Sequence, residues 1–232
     1  LLLRFYDPAV NAKDSHGRTL DEILQWNDAS LERCHNYIQV LFPLPEGSPY
    51  NYEAPIITRD ILEAFRAGTH LRDRLRQSFI RILEFYGFEL QEEDAESTKE
   101  QPKHSTTEPG IAEQASPISS DDTETLTTTQ LQSMRKIAVV RADHWQRAFR
   151  NWAVRFDHNH LRISRILRSL RVLGLQAECE AFYAALKEVF DSPRNQISDR
   201  SMMYWTNAVE FPLHVAPDGE KSQWLELWVE ER

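Results

Sequence analysis

Glycine is scarce in this chain, at 7 of 232 residues. That shortage argues against a β-sandwich or barrel, whose many short strands need many tight turns. No apolar run approaches the ~20 residues required to span a bilayer, so no transmembrane segment is expected. The opening Leu1-Leu2-Leu3 is too short for the apolar core of a secretion signal, and the missing initiator Met suggests a trimmed N-terminus. Cysteine is nearly absent. Cys34 and Cys179 each sit in an amphipathic helical pattern and read as buried free thiols of a reducing compartment, not as a disulfide or redox pair. A glycine-rich phosphate loop is missing, and no serine lies in a strand–turn–helix elbow.

Positive charge is also in short supply, and the negative charge is unevenly placed. The formal net charge is −9. Residues Glu92–Glu124 hold ten Asp or Glu against two Lys, a net −8, which leaves about −1 for the remainder. A body so close to neutral predicts neither nucleic-acid nor anionic-membrane binding.

What is present is apolar and helix-forming. An apolar fraction of 41%, with Trp 6 and Phe 11, suffices for a real core. The expected fold class is all-α: a single multi-helix orthogonal or bundle-like domain interrupted by a long disordered acidic linker. Residues 1–90 form its N-terminal half and 131–211 its C-terminal half. Residues 91–130 are the insertion, and 212–232 a tail with a short acidic helix. The insertion is rich in Ser, Thr, Glu and Pro and has no aromatic residue. It cannot bury enough apolar area to offset an ordering entropy of ~1–2 kcal/mol per residue. Its acidic character makes it a possible contact for a protein partner.

The segments follow from spacing and punctuation. Residues Leu1–Arg18 read as irregular. Thr19–Trp26 reads as a short helix with a Thr19–Glu22 capping box. Asp28–Phe42 reads as one helix stopped by Pro43. Pro43–Pro55 reads as an ordered loop pinned by Tyr50 and Tyr52. Thr58–Ala67 and Thr69–Tyr86 read as a helical hairpin broken at Gly68 and Gly87. Leu131–Phe156 reads as a long helix, with Arg141–Asp143 as its candidate break. Glu178–Phe190, Ile197–Phe211 (with Met202, Met203, Tyr204 and Trp205) and Ser222–Glu231 complete the series.

The centre of the pattern is Asp157–Gly174. Asp157 or Asn159 can cap it and Gly174 can end it. Ile163, Ile166, Leu167, Leu170 and Leu173 share one face. Arg162, Arg165, Arg168 and Arg171 run at i, i+3 along another. That stripe suits phosphate or an acidic peptide, or a contact with the acidic linker; the plainer reading is that neighbouring carboxylates or solvent satisfy it. His158 and His160, at i, i+2, diverge on a helix and make poor co-ligands. Cys34 and His35, adjacent on a helix, face apart. Neither a metal, a cofactor nor a catalytic residue is expected.

Two strings carry a resemblance. HNYIQVLFPLPEGSPYN (His35–Asn51) resembles the conserved domain of the opioid growth factor receptor family, and GRTLDEILQWNDASLE (Gly17–Glu32) resembles the approach to it in microbial or fungal members. HNHLRISRILRSLRVLG (His158–Gly174) is similar to a second family string, with His160 where Asn is usual. FYGFEL (Phe85–Leu90) fits a third. The resemblance implies a receptor-type, non-catalytic binding protein for a peptide or small polar ligand. Vertebrate members are described as nuclear or nuclear-envelope-associated receptors for a short enkephalin peptide. An intracellular place, in cytoplasm or nucleus or peripherally on a membrane, is implied with it. The polar matched residues, with His160, are the site candidates: His35, Tyr37, Gln39, His158, Asn159, His160, Arg162 and Arg165. Because a buried polar group is costly unless paired, several should form one network joining the two strings, with any ligand pocket against it. The matched apolar residues, Leu161 among them, are expected in the core. Two alternatives stand beside this: an enzyme using His35, His158 and His160 for acid–base or metal chemistry, and a structural protein-interaction module.

Overall fold

The computed structural model describes residues 1–48, 51, 53–93 and 136–232. Residues Leu1–Gln91 and Ala138–Arg232 form one compact unit, and Glu92–Ile137 a second. Most of the expected linker, with Tyr50 and Tyr52, lies outside the described residues.

The N-terminal half opens with a short helix, α1 (Leu2–Tyr6), where an irregular stretch was expected. Leu2, Phe5 and Tyr6 are buried, and Tyr6 Oη donates to Leu41 O. Helix α2 (Leu20–Leu24) carries the expected capping box. The single helix expected over Asp28–Phe42 is instead two, α3 (Asp28–Arg33) and α4 (Tyr37–Leu41). Cys34 is extended there (φ −90°, ψ 125°). Helices α5 (Arg59–Ala67) and α6 (Thr69–Tyr86) form the predicted hairpin. Gly87 ends α6 in the left-handed region (φ 84°), and a Cβ there would lie 2.8 Å from Ala148 Cβ and 3.0 Å from Trp145 Cα. Glycine is needed at that position for both reasons.

The all-α expectation fails at one place. Strands β1 (Phe88–Glu93) and β2 (Lys136–Arg141) pair in a two-stranded sheet, so the described chain is mostly helical but not wholly so. The alternation Phe88 buried, Glu89 exposed, Leu90 half-buried, Gln91 exposed is a strand period. Ile137, Val139 and Val140 are β-branched residues that favour a pleated surface over a helix. Ala142 N–H donates to Gly87 O at 3.0 Å, which sets the strands antiparallel. The long helix expected over Leu131–Phe156 shrinks to α7 (Trp145–Trp152).

Helix α8 (Asn159–Leu173) lies at the centre, packed against α5, α6, α9 (Gln176–Phe190) and α10 (Asp199–Glu210). Its predicted seam, Ile163, Ile166, Leu167, Leu170 and Leu173, is fully buried. Gly174 ends it at φ 93°. Met203, in α10, is half exposed. Helix α11 (Gln223–Glu230) buries Leu225 and Trp228 and packs against α5. Both cysteines are free; Cys179 is buried, its thiol pushed up to about 12 by burial, and Cys34 is half-buried.

Candidate functional site

Two chain segments meet where α3 ends and α8 begins. The break at Cys34–Asn36 leaves carbonyls at the end of α3 without helical partners, and these carry partial negative charge. Arg162, in the first turns of α8, fills that end. Its Nη1 donates to Leu31 O at 3.2 Å and its Nη2 to Cys34 O at 3.0 Å and Glu32 O at 3.3 Å. The guanidinium is buried, lies over the Tyr37 ring at 5.7 Å, and reaches Asn159 Oδ1 at 3.1 Å. Tertiary capping by an arginine thus overrides an unbroken helical pattern.

The same arginine sets the face above it. Its Nη2 donates to His35 Nδ1 at 3.1 Å, so neutral His35 carries its proton on Nε2. His35 and His158 meet edge to face, with ring centroids 5.1 Å apart. His158 Nε2 lies 3.3 Å from Glu32 Oε1, and Asn159 Nδ2 donates to Glu32 Oε2 at 3.3 Å. The imidazole pKa of His35 is lowered by partial desolvation, then by the positive charge of Arg162 and His158, against a smaller pull from Glu32. Both histidine rings are exposed and Glu32 is half-buried. Beneath them Asn159 is buried and accepts from Tyr86 Oη at 3.2 Å. Tyr37 is also fully buried, and its hydroxyl finds no partner among the described residues; burial raises its pKa.

The other candidates go elsewhere. Gln39 bonds Ser48 Oγ at 3.2 Å and Asn51 Nδ2 at 2.5 Å, tying α4 to the loop behind it. Arg165 donates to Phe42 O at 3.1 Å; burial brings its pKa down to about 10, with Glu46 opposing. His160 points away from His158, as i, i+2 spacing requires, into a pocket made by Ser201, Trp152 and Trp205. The rest of the arginine stripe is also engaged internally. Arg168 is fully buried between Glu46 (2.5 Å) and Leu213 O (2.6 Å), and Arg171 donates to Phe211 O at 2.5 Å. Main-chain carbonyls hold most of the stripe, where carboxylates or solvent were expected.

Sequence reasoning missed Glu32, to which it gave no role. It also misplaced Leu161: expected in the core, it is 58% exposed beside His158, and Phe156 is 74% exposed just upstream. The heptad-like spacing gave the signal, because Leu161 falls off the Ile163–Leu170 seam. Among the described residues no group of three or more His, Cys, Asp or Glu is disposed to hold a metal ion. No described helix is long and apolar enough to cross a membrane.

Residues 1–108 and 124–213 match the family model of the opioid growth factor receptor conserved region. The rat opioid growth factor receptor is 32% identical over 164 residues, covering 69% of this chain and 21% of the receptor. The human one is 30% identical over 178 residues, 75% of this chain and 19% of the receptor. Mouse opioid growth factor receptor-like protein 1 is 28% identical over 178 residues, 75% of this chain and 29% of that protein. The aligned part of the chain thus spans between 19% and 29% of the length of these relatives. They are vertebrate proteins and lend no support to a microbial-type grouping. No solved structure matches the chain. The chain belongs to the opioid growth factor receptor conserved-region family.

Proposed function

We propose that the chain is a receptor-type binding domain, without catalysis, that takes a peptide or small polar ligand on the exposed face of Glu32, His35 and His158. The observation that carries this reading is the pair of exposed imidazoles 5.1 Å apart, one from each family string, held from below by a buried guanidinium. A carboxylate and two imidazoles offer an anionic acceptor and two switchable donor–acceptor groups. Exposed Leu161 and Phe156, close by in the chain, offer apolar contact. The names of the relatives support a receptor role. Against the enzyme alternative, both ring nitrogens of His160 are engaged, and His35 Nδ1 is taken by Arg162. By the same family reading the domain works inside the cell, in cytoplasm or nucleus.

Calorimetric titration with a short enkephalin peptide tests the face. Glu32→Gln and His158→Ala, both at accessible side chains, are expected to weaken binding at least tenfold, with the urea midpoint little changed. No binding heat, or an affinity that both variants leave intact, overturns the assignment.

A further inference from the structure

Beyond that face, three arginines gather where α8 ends, roughly 22 Å along the helix from His158 by the helix rise. Arg66 comes from α5, Arg72 from the first turn of α6 and Arg171 from the last turn of α8. Gly174 allows the first two to approach. A Cβ there would meet Arg66 Cγ at 3.3 Å and Arg72 Cδ at 3.5 Å. Arg66 Nε donates to Val172 O at 3.0 Å, and its Nη2 to Arg171 O at 3.1 Å. Arg72 Nη1 donates to Phe65 O at 2.7 Å and to Arg66 O, and Arg171 Nη1 to Ala208 O and Phe211 O. Carbonyls therefore hold one edge of each guanidinium. The other edge is open: Arg66 Nη1, Arg72 Nη2 and Arg171 Nη2 have no hydrogen-bond partner among the described residues, and none of them is shut off from water.

Carbonyls bring only partial negative charge, so these caps leave most of the positive charge uncompensated. Among the described residues no carboxylate forms an ion pair with any of the three. The acids of the neighbouring helix are already engaged: Arg76 holds Glu178 at 2.9 Å, and Gln176 holds Glu180 at 2.6 Å. Arg66 registers the crowding. Burial lowers its pKa first, and the positive charges of Arg232, Arg72 and Arg171 lower it further. A doubly charged anion relieves that repulsion. Its tetrahedral oxygens accept from several planar forks at once, where a carboxylate matches only one. We propose that the end of α8 binds a phosphate dianion, free or as a small monoester. Its oxygens accept from the open edges of Arg66 and Arg72, with Arg171 as the flanking charge. Its occupancy does not depend on the histidine face being a receptor site.

Small anions test it directly. In a titration of the full chain followed by backbone amide NMR, inorganic phosphate is expected to bind saturably, with a Kd on the order of 1 mM. The shifts should cluster at Arg66, Arg72, Gly174 and Leu175. O-phosphoserine should bind at the same place; a tighter fit than phosphate marks the monoester as the preferred form, a weaker one the free ion. Chloride at equal ionic strength should leave those amides unmoved. Arg72→Gln, checked for folding by urea unfolding, should weaken phosphate at least fivefold. Arg147→Gln removes an exposed arginine of α7 and should leave phosphate binding unchanged. His158→Ala should also leave it unchanged, so the two sites fail independently. Shifts spread over the surface arginines, an equal response to chloride, or full affinity in folded Arg72→Gln would overturn the proposal. Should Arg72→Gln fail to fold, the shift map of the unsubstituted chain decides alone.

Discussion

His160 shows how a polar residue acquires a fixed role from partners distant in sequence. Trp152 O can only accept, so Nε2–H donates to it at 2.8 Å, and Nδ1 must accept from Ser201 Oγ at 2.7 Å. The ring also packs edge to face on Trp205, and burial lowers its pKa despite the Trp152 bond. In the unfolded chain the imidazole returns to about 6.5. As pH falls below that value the unfolded state takes up the proton first, so stability is complete above about 6.5 and declines toward the lowered native pKa. His35, also lowered, adds in the same direction. Urea-unfolding free energies between pH 7.5 and 5 should therefore decline, and His160→Asn should make the decline shallower. An unaltered slope in that variant would remove His160 from the account. From sequence, His160 was a site candidate on the strength of its neighbours. Ser201 lies 41 residues away, and no local pattern announces such a partner.

At the scale of elements, the arginines of α8 act as caps for other helices. Arg162 closes α3, Arg165 holds Phe42 O at the end of α4, and Arg171 reaches Ala208 O and Phe211 O at the end of α10. Arg66 does the same for α8 itself, through Arg171 O and Val172 O. A cation at a helix C-terminus is favoured by the unpaired carbonyls and their summed dipole. The stripe was legible in the sequence as an i, i+3 repeat, and so was the seam beside it. Its targets were not, because a carbonyl acceptor belongs to every residue type. For the same reason the break at Cys34 was hidden: the apolar spacing runs through it unaltered. Arg162→Ala leaves Leu31, Glu32 and Cys34 carbonyls without their donor. At ~1 kcal/mol each, the expected loss is about 3 kcal/mol of unfolding free energy. Arg162→Lys should recover less than half, since an ammonium lacks the planar fork that reaches three carbonyls at once. Full recovery by lysine, measured by urea unfolding, would mean that charge alone matters there.

For the whole molecule, the strand pair decides how the two halves of the chain are joined. The sequence reading of a mostly helical chain holds, but it carried helix through Lys136–Arg141, where a strand stands. Helix and strand compete closely in short apolar runs, and pairing with β1 settles the outcome. With Gly87 and Ala142 bonded at one end, equal six-residue strands bring Glu93 and Lys136 together at the other. Residues 94–135, which join the two strands in sequence, lie outside the described residues. On composition that stretch is read as an unfolded linker, and a linker of that kind adds closure entropy without burial. Closure cost rises as (3/2)RT ln n, so a four-residue loop in place of 42 residues should favour the native state by ~2 kcal/mol. Replacing residues 94–135 by an Asn-Gly-containing turn is therefore expected to give a folded domain with unfolding free energy raised by up to that amount. Enkephalin binding should be retained, since the proposed face draws on none of the excised residues. A variant that fails to fold would show that the stretch holds structure the body depends on. One that folds but loses peptide binding would place the receptor site on the linker instead of the histidine face.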